Sequence, residues 1–313
     1  MASTPRLEEW MRLSKERLTS TSIMRKYIDV LYIRPRSFSP PEDLGPGVKI
    51  ERVDIDEWPL YRISTSPATA GPALLYCHGG DFVNEIVSQH YKLAAQIARD
   101  TGLVVEIPIY PLVPRRTASF EWVVEGLCDL LTQSNIVSIA GDSVGGTLAI
   151  LTMQHLIRKQ PLVASRVKSL ILISPLLDCT LNHPQTRELE AMDPWLGVDG
   201  LRLASEEFSG GLELSDPRAS PLFGNIADLP ATLLLSGTRD LLCADARRLS
   251  ARFLNGGMSE NAEECIAGSV ELEGFKYIEG EDMLHVWPLV NSPEGAEVRD
   301  VIMEFLKKHI EYD

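Results

Sequence analysis

The residues best placed to do chemistry lie in Gly141-Asp142-Ser143-Val144-Gly145, a G-x-S-x-G sequence. This motif follows an apolar run typical of a strand and precedes a helical pattern. In that context the serine sits on a sharp strand-to-helix turn that exposes its hydroxyl. Small flanking residues suit a turn so tight, and the helix N-terminus stabilises negative charge that develops beside it. The motif therefore predicts that Ser143 is a nucleophile.

A serine hydroxyl needs a base to become nucleophilic, and the base must come from a histidine in this chain. When the serine lies on such a turn, the acid and then the base follow it in the chain. Of the six histidines, His285 and His309 lie late enough. His309 belongs to a charged terminal helix, which is typical of a surface position. His285 follows the last predicted strand, so we expect it to be the base.

The base needs a carboxylate that fixes its tautomer and stabilises its charged form. Asp240 follows the apolar run Ala231–Leu235, at the carboxyl end of a predicted strand. Asp245 is a nearby alternative, but it falls in the next predicted helix. Asp178, which follows an earlier strand, is a second alternative. The sequence favours Asp240.

An oxyanion formed during acyl transfer needs backbone N–H donors. The N–H of Val144, next to the nucleophile, supplies one. The turn His78-Gly79-Gly80-Asp81 is expected to supply the others, from Gly80 and from either Gly79 or Asp81. His78 precedes the serine in the chain, so we interpret it as a residue that orders this turn.

Strands and helices that position these residues alternate along most of the chain. Two helices come first, at Pro5–Leu18 and Ser22–Ile33, and a Pro/Gly-rich stretch follows. The predicted strands are Val48–Ile55, Trp58–Ser64, Ala73–Cys77, Leu103–Tyr110, Ile136–Ala140, Val167–Ile173, Ala231–Leu235 and Phe275–Ile278. The later predicted helices are Val87–Asp100, Phe120–Leu131, Val144–Arg158, Leu201–Phe208, Leu242–Leu254 and Glu294–Ile310. This alternation predicts an α/β fold with a mostly parallel sheet, whose functional sites form at the carboxyl ends of strands.

Together the motifs resemble the hormone-sensitive-lipase-like family of α/β-hydrolase fold serine esterases, from about Pro72 to the end of the chain. His-Gly-Gly is similar to the family's HGGG, and Gly-Asp-Ser-Val-Gly-Gly is similar to its GDSAGG. The resemblance implies carboxylester hydrolysis, with an oxyanion hole beside the catalytic triad. It also implies a helical lid from residues 1–47, joined by residues 179–215 inserted after the sixth strand, on a catalytic domain of residues 48–313.

Three departures from the family pattern stand out. Asp81 occupies the place of the third glycine of HGGG, where its carboxylate would repel an oxyanion unless the side chain turns away. The family's YRLAPE appears as Tyr110-Pro-Leu-Val-Pro-Arg115, without the glutamate. Residues 255–274 form a longer and more polar connection than a helix-to-strand link requires, and we predict a mobile surface loop there.

The substrate is predicted less sharply than the chemistry. Seven apolar residues near the site in the chain are candidates to line a pocket: Phe82, Val83, Leu112, Trp195, Leu196, Leu284 and Trp287. They favour small or medium apolar esters. A lactonase or an acyltransferase acting on a natural-product ester would use the same chemistry. A non-catalytic ligand receptor is a further alternative, which the presence of His285 disfavours.

Composition narrows the remaining classes. A formal net charge of −14 disfavours binding to nucleic acid or to an anionic membrane. The five cysteines include no C-x-x-C pair, which disfavours a disulfide framework or a zinc site and fits a reducing compartment. The N-terminus lacks the apolar stretch of a signal peptide, so we expect a cytoplasmic protein. We predict no cofactor and no metal, and the sequence does not indicate the oligomeric state.

Overall fold

The computed structural model describes residues 5–33, 37–55, 58–65, 71–256 and 263–310, and it confirms the predicted α/β fold. Within those residues the strands are β1 (Lys49–Ile55), β2 (Trp58–Ser64), β3 (Ala73–Cys77), β4 (Val104–Pro108), β5 (Ile136–Asp142), β6 (Ser169–Ile173), β7 (Ala231–Arg239), β8 (Val270–Leu272) and β9 (Phe275–Leu284). The helices are α1 (Pro5–Leu18), α2 (Thr21–Ile33), α3 (Ser88–Thr101), α4 (Phe120–Gln133), α5 (Val144–Lys159), α6 (Pro161–Ala164), α7 (Pro184–Glu190), α8 (Val198–Phe208), α9 (Cys243–Leu254) and α10 (Pro293–His309).

The strands form one sheet in the order β1-β2-β4-β3-β5-β6-β7-β9-β8. The central strands from β4 to β9 run parallel, while β1, β2 and β8 pair antiparallel at the two edges. Side chains alternate between the two faces of each strand. In β3, Leu75 and Cys77 therefore join one buried cluster, and Leu74 and Tyr76 join the other. Helices cover both faces, which explains why β3 and β6, in the middle of the sheet, are buried throughout and almost entirely apolar.

Four helices, α1, α2, α7 and α8, form a layer that we call the cap. The end of α1 packs directly against the start of α8 because two glycines there leave no side chain between the backbones. A Cβ atom at Gly200 would lie 2.6 Å from Leu18 Cα, and one at Gly197 would lie 2.7 Å from the Leu18 carbonyl carbon. Lys15 also donates from Nζ to the carbonyl oxygen of Glu190 at 2.7 Å. The N-terminal helices and the inserted segment thus pack together, as a lid built from both would require.

The structure differs from the predicted elements in a few places. A short strand, β8, lies within the predicted surface loop of residues 255–274, where it pairs antiparallel with β9; residues 257–262 lie outside the described residues. The strands β7 and β9 extend beyond their apolar runs to Arg239 and Leu284, because they pair with each other at their polar ends. Helix α7, in the polar insertion, was not predicted. The domain boundary at residue 47 stays a prediction.

Candidate active site

Ser143 lies between the end of β5 and the first residue of α5, with φ 53° and ψ −124°. A non-glycine residue with this backbone conformation is strained and needs support from its surroundings. The glycines on either side allow that support, because a Cβ at Gly145 would lie 2.1 Å from the carbonyl oxygen of Cys77. One at Gly141 would lie 2.4 Å from the Gly145 carbonyl oxygen. The turn predicted from the sequence is therefore present, and its glycines are required by packing.

Asp240 and His285 come together because β7 and β9 are neighbours in the sheet. Arg239 pairs with Leu284 across the two strands, so the residues that follow them, Asp240 and His285, lie next to each other. His285 Nδ1 donates to Asp240 Oδ2 at 2.9 Å, and Asp240 Oδ1 accepts the N–H of Leu242 at 2.9 Å. Burial lowers the pKa of His285, but the charge and hydrogen bond of Asp240, together with the charges of Asp193 and Asp81, outweigh it, and the pKa is raised overall.

The alternative acids and base make other contacts. Arg248 donates to Asp178 at 2.8 Å and to Asp245 at 3.1 Å, and all three side chains are buried. His309 donates from Nδ1 to the carbonyl oxygen of Phe305, one turn earlier in α10. The structure therefore joins Asp240, and neither of the other two carboxylates, to His285.

The predicted oxyanion turn lies against the nucleophile, since a Cβ at Gly79 would be 3.0 Å from Ser143 Cβ. The N–H of Gly79 donates to Asp142 Oδ1 at 3.1 Å and is already engaged. Among the described residues, the N–H groups of Gly80, Asp81 and Val144 have no hydrogen-bond acceptor. Of the two alternatives that the sequence left open, this geometry favours Asp81 over Gly79 as the partner of Gly80.

Asp142, next to the nucleophile, holds the oxyanion turn in place through its carboxylate. Besides the Gly79 bond, its carboxylate accepts the Tyr76 hydroxyl at 2.7 Å and lies 3.3 Å from His90 Nε2. Burial raises the pKa of Asp142, but His90 and the hydrogen bonds outweigh it and lower the pKa overall. Tyr76 and His90 were not predicted from the sequence, because neither belongs to the serine motif or to the His-Gly-Gly turn.

His78 orders the turn, as the sequence suggested. Its Nδ1 donates to the carbonyl oxygen of Gly79 at 2.6 Å, and its ring stacks on Tyr110 with centroids 4.6 Å apart. Burial lowers the pKa of His78 to about 4, so the ring is neutral near pH 7. The Tyr110 hydroxyl in turn donates to the His78 carbonyl oxygen. The histidine thus holds the backbone of the turn and stays uncharged.

A further buried carboxylate, Asp193, lies beside the acid and was not predicted. Its Oδ1 accepts the N–H groups of Trp195 and Leu196 at 2.7 and 2.9 Å, and its Oδ2 accepts that of Leu241 at 2.9 Å. Burial, followed by the charge of Asp240, raises the pKa of Asp193. Asp193 therefore ties the inserted segment to the loop that carries Asp240.

The seven predicted pocket residues do not form one surface. Phe82, Val83, Leu112 and Leu196 belong to the buried cluster on one face of the sheet. Trp287 belongs to the cluster on the other face, and Leu284 is buried at the end of β9. Trp195 is partly exposed, and its ring meets the His285 ring edge-on at 5.5 Å between centroids. The pocket assignment stays a prediction, with Trp195 best placed to meet a substrate.

The described residues contain neither a candidate metal site nor a candidate membrane-spanning helix. They include no group of three or more His, Cys, Asp or Glu side chains placed to hold a metal ion. No helix in the described ranges is long and apolar enough to cross a membrane.

Comparison with known proteins places these residues in a broader setting. Residues 74–265 match the model of a family described as having the alpha/beta hydrolase fold. The chain is 30% identical over 216 residues to a triacylglycerol lipase of Mycobacterium tuberculosis, covering 66% of this chain and 44% of that protein. It is 32% identical over 196 residues to an ethyl acetate hydrolase of Pseudomonas putida, covering 56% of this chain and 59% of that protein. The chain thus spans less than two thirds of the length of either relative.

The solved structure of an esterase from the bacterial hormone-sensitive lipase family matches over almost the whole length of both chains. Its TM-score is 0.74 at 26% sequence identity, covering 99% of this chain and 100% of that one. The likeness therefore extends to the cap as well as to the sheet.

Proposed function

Because this chain belongs to the hormone-sensitive-lipase-like family of α/β hydrolases, we propose that it is a serine carboxylesterase. The observation that carries the proposal is the 2.9 Å hydrogen bond between His285 and Asp240. This pair lies at the carboxyl ends of the parallel strands, as does the strained Ser143 turn. A serine on such a turn, a paired imidazole and uncommitted backbone donors are the parts that acyl transfer requires.

In the proposed mechanism Ser143 Oγ attacks the ester carbonyl carbon while His285 Nε2 takes the hydroxyl proton. The carbonyl oxygen becomes an oxyanion, which the N–H groups of Gly80, Asp81 and Val144 bind. The intermediate collapses, the carbon–oxygen bond to the alcohol breaks, and His285 protonates the departing alkoxide. Water then attacks the acyl-enzyme and gives a proton to His285. The bond from the acyl carbon to Ser143 Oγ breaks, His285 returns the proton to Ser143 Oγ, and the acid is released.

The electrostatic environment of His285 fits this role. The base must be neutral to accept a proton and is charged in the transition state. Asp240 stabilises the charged form, which raises the pKa of His285. The rate constant kcat/KM should therefore rise with pH as His285 loses its proton, and fall away on the acid side.

We propose small or medium apolar esters as substrates. The relative from Pseudomonas putida is named an ethyl acetate hydrolase, which supports short acyl groups. Phe82, directly after the oxyanion turn, is fully buried and stacks on Phe208 at 4.4 Å between centroids, so the side of the turn that carries it is filled by protein. Trp195 offers an apolar surface beside the base.

The test is hydrolysis of p-nitrophenyl esters and lactones of graded acyl length, with labelling by a fluorophosphonate. We expect activity on esters of short acyl chains, a covalent adduct on Ser143, and loss of both in Ser143→Ala. The exposed Ser165, at the end of α6, is a matched control, and Ser165→Ala should behave like the wild type. Full activity of Ser143→Ala would overturn the proposal. Product analysis with added alcohol separates hydrolysis from acyl transfer.

We also propose a cytoplasmic location, supported by five cysteines that are all free in the structure. A lid formed by residues 1–47 with 179–215 over a catalytic domain of 48–313 is proposed on the packing of the cap. Residues 1–4 and 34–36 of that lid lie outside the described residues.

A further inference from the structure

Asp81 combines two properties that conflict in an esterase. Its backbone N–H has no acceptor among the described residues and belongs to the proposed oxyanion site. Its side chain is a buried carboxylate close enough to His285 to raise the pKa of that ring, after the larger effects of burial, of Asp240 and of Asp193. A negative charge at this place opposes the formation of an oxyanion, so something must offset it.

The cap supplies the offsetting charge. Arg17, in the last turn of α1, donates from Nη2 to Asp81 Oδ2 at 3.2 Å. Both side chains are largely buried, with 14% and 10% exposed for Arg17 and Asp81. Asn84 Nδ2 donates to the same carboxylate oxygen at 3.1 Å. The Asp81 side chain is therefore held by two donors.

The contacts around Arg17 close into a ring that links both N-terminal helices to the oxyanion turn. The guanidinium lies over the Tyr27 ring of α2, 4.5 Å from its centroid. The Tyr27 hydroxyl donates to Asn84 Oδ1 at 2.5 Å, and Asn84 binds Asp81. An arginine held by an aromatic face and a carboxylate has little freedom to turn away.

The backbone of the turn needs such support. Asp81 and Phe82 have φ of 58° and 62°, in the left-handed region that is unfavourable for a non-glycine residue. Aspartate tolerates this region better than most residues, whereas phenylalanine does not. A strained pair persists where its surroundings fix it, and here the surroundings include α1.

We propose that Arg17 is a positioning residue for the esterase reaction. It neutralises the Asp81 carboxylate and holds it away from the place where the oxyanion forms. Helix α1 is then needed to complete the oxyanion site. This inference rests on the proposed function, since it assumes that an oxyanion forms next to Ser143.

The expected effect falls on kcat. An uncompensated carboxylate repels charge that exists only in the transition state, so ground-state binding and KM should change little. At an effective dielectric constant near 20, a unit charge roughly 6 to 12 Å from the oxyanion lowers the rate by roughly ten- to a hundredfold.

The experiment is a double-mutant cycle on the full chain with p-nitrophenyl acetate. Arg17→Met keeps the apolar stem and removes the charge, and Asp81→Gly removes the carboxylate from the turn. We expect Arg17→Met to lower kcat by about tenfold or more in the wild-type background, and by no more than about threefold in the Asp81→Gly background. Equal losses in the two backgrounds would overturn the inference, because a merely structural role of Arg17 does not depend on the Asp81 charge.

A second background guards against poor folding of the glycine variant. Asparagine tolerates a left-handed backbone, so Asp81→Asn should keep the turn while removing the charge. The pH dependence of kcat/KM provides an independent test. Without Arg17 the Asp81 charge acts more strongly on His285, so the acid limb of kcat/KM should move to higher pH in Arg17→Met and to lower pH in Asp81→Asn. An unmoved limb in both would contradict the inference.

The matched control is Arg25→Ala, which breaks an exposed ion pair between α2 and Glu207 of α8, 3.1 Å apart, without touching the turn. It should leave kcat unchanged; a loss equal to that of Arg17→Met would contradict a specific role for Arg17. Fluorophosphonate labelling of the wild type separates the two levels of the proposal. No adduct on Ser143 defeats the proposed function itself, whereas labelling with no coupling in the cycle defeats the role of Arg17 alone.

Discussion

Replacing Asp240 by asparagine tests the proposed acid with the least change in shape. The carboxylate is fully buried, and each oxygen accepts one hydrogen bond at 2.9 Å, Oδ2 from His285 Nδ1 and Oδ1 from the Leu242 N–H. Asparagine has one acceptor and one donor group in the same positions. Because the Leu242 N–H is fixed as a donor, the amide oxygen should face it, and the amide NH2 should face His285.

That arrangement places the wrong tautomer at the base. His285 would accept at Nδ1 and carry its proton at Nε2, where it cannot take the proton of Ser143. Loss of the correct tautomer lowers kcat by about 10⁴-fold, equivalent to about 5 kcal/mol of transition-state stabilisation. The assay measures kcat/KM for p-nitrophenyl acetate from about pH 6 to about pH 9, because a histidine base with a raised pKa loses its proton in roughly that range. Asp240→Asn should remain folded by circular dichroism.

Asp178→Asn and Asp245→Asn serve as comparisons, because these two carboxylates bind Arg248 and do not bind His285. Their effect on kcat of the folded protein should be small. Activity of Asp240→Asn within about tenfold of the wild type, or a folded Asp178→Asn that loses as much as Asp240→Asn, would refute the assignment.

Two further predictions concern buried charges around the site. Asp193→Asn removes a negative charge that raises the pKa of His285, so the acid limb of kcat/KM should move to lower pH; a limb at unchanged or higher pH would contradict this. Arg248→Met leaves the buried carboxylates of Asp178 and Asp245 without their cation, so the free energy of unfolding should fall by about 3–5 kcal/mol. With an unfolding entropy of about 2 cal/mol/K per residue, Tm should fall by about 5–8 °C, measured by calorimetry with kcat of the folded enzyme as the control.

Most of the fold follows from patterns that are local in the chain. The predicted helix after Ser143 and the observed α5 both begin at Val144, because a helix start is set by the few residues around it. The strands β3 and β6 are buried throughout and almost entirely apolar, which is typical of central parallel strands. The sequence could not predict β8, since it has only three residues, of which Glu271 and Leu272 are exposed, and its strand pairing is with β9 alone.

The pocket shows where sequence position misleads. Phe82 and Trp287 both lie near site residues in the chain, but strand alternation and the path of the loops send them to opposite faces of the sheet. Asp193 shows the reverse. Nothing in its neighbourhood in the chain indicates a role, and it reaches the loop that carries Asp240 through a hydrogen bond to Leu241, 48 residues away.

The sequence by itself determined the nucleophile turn, because that turn depends on residue types and on short-range backbone geometry. It predicted His285 as the base from its position in the chain, and it favoured Asp240 as the acid over Asp245 and Asp178. The tertiary structure decided which carboxylate meets the base, through the pairing of Arg239 with Leu284. It also decided that Asp142 engages the N–H of Gly79, and that Arg17, 64 residues earlier, meets the carboxylate of Asp81. Those contacts join segments that are distant in the chain, and the packing that brings them together leaves no periodic or short-range trace in the sequence.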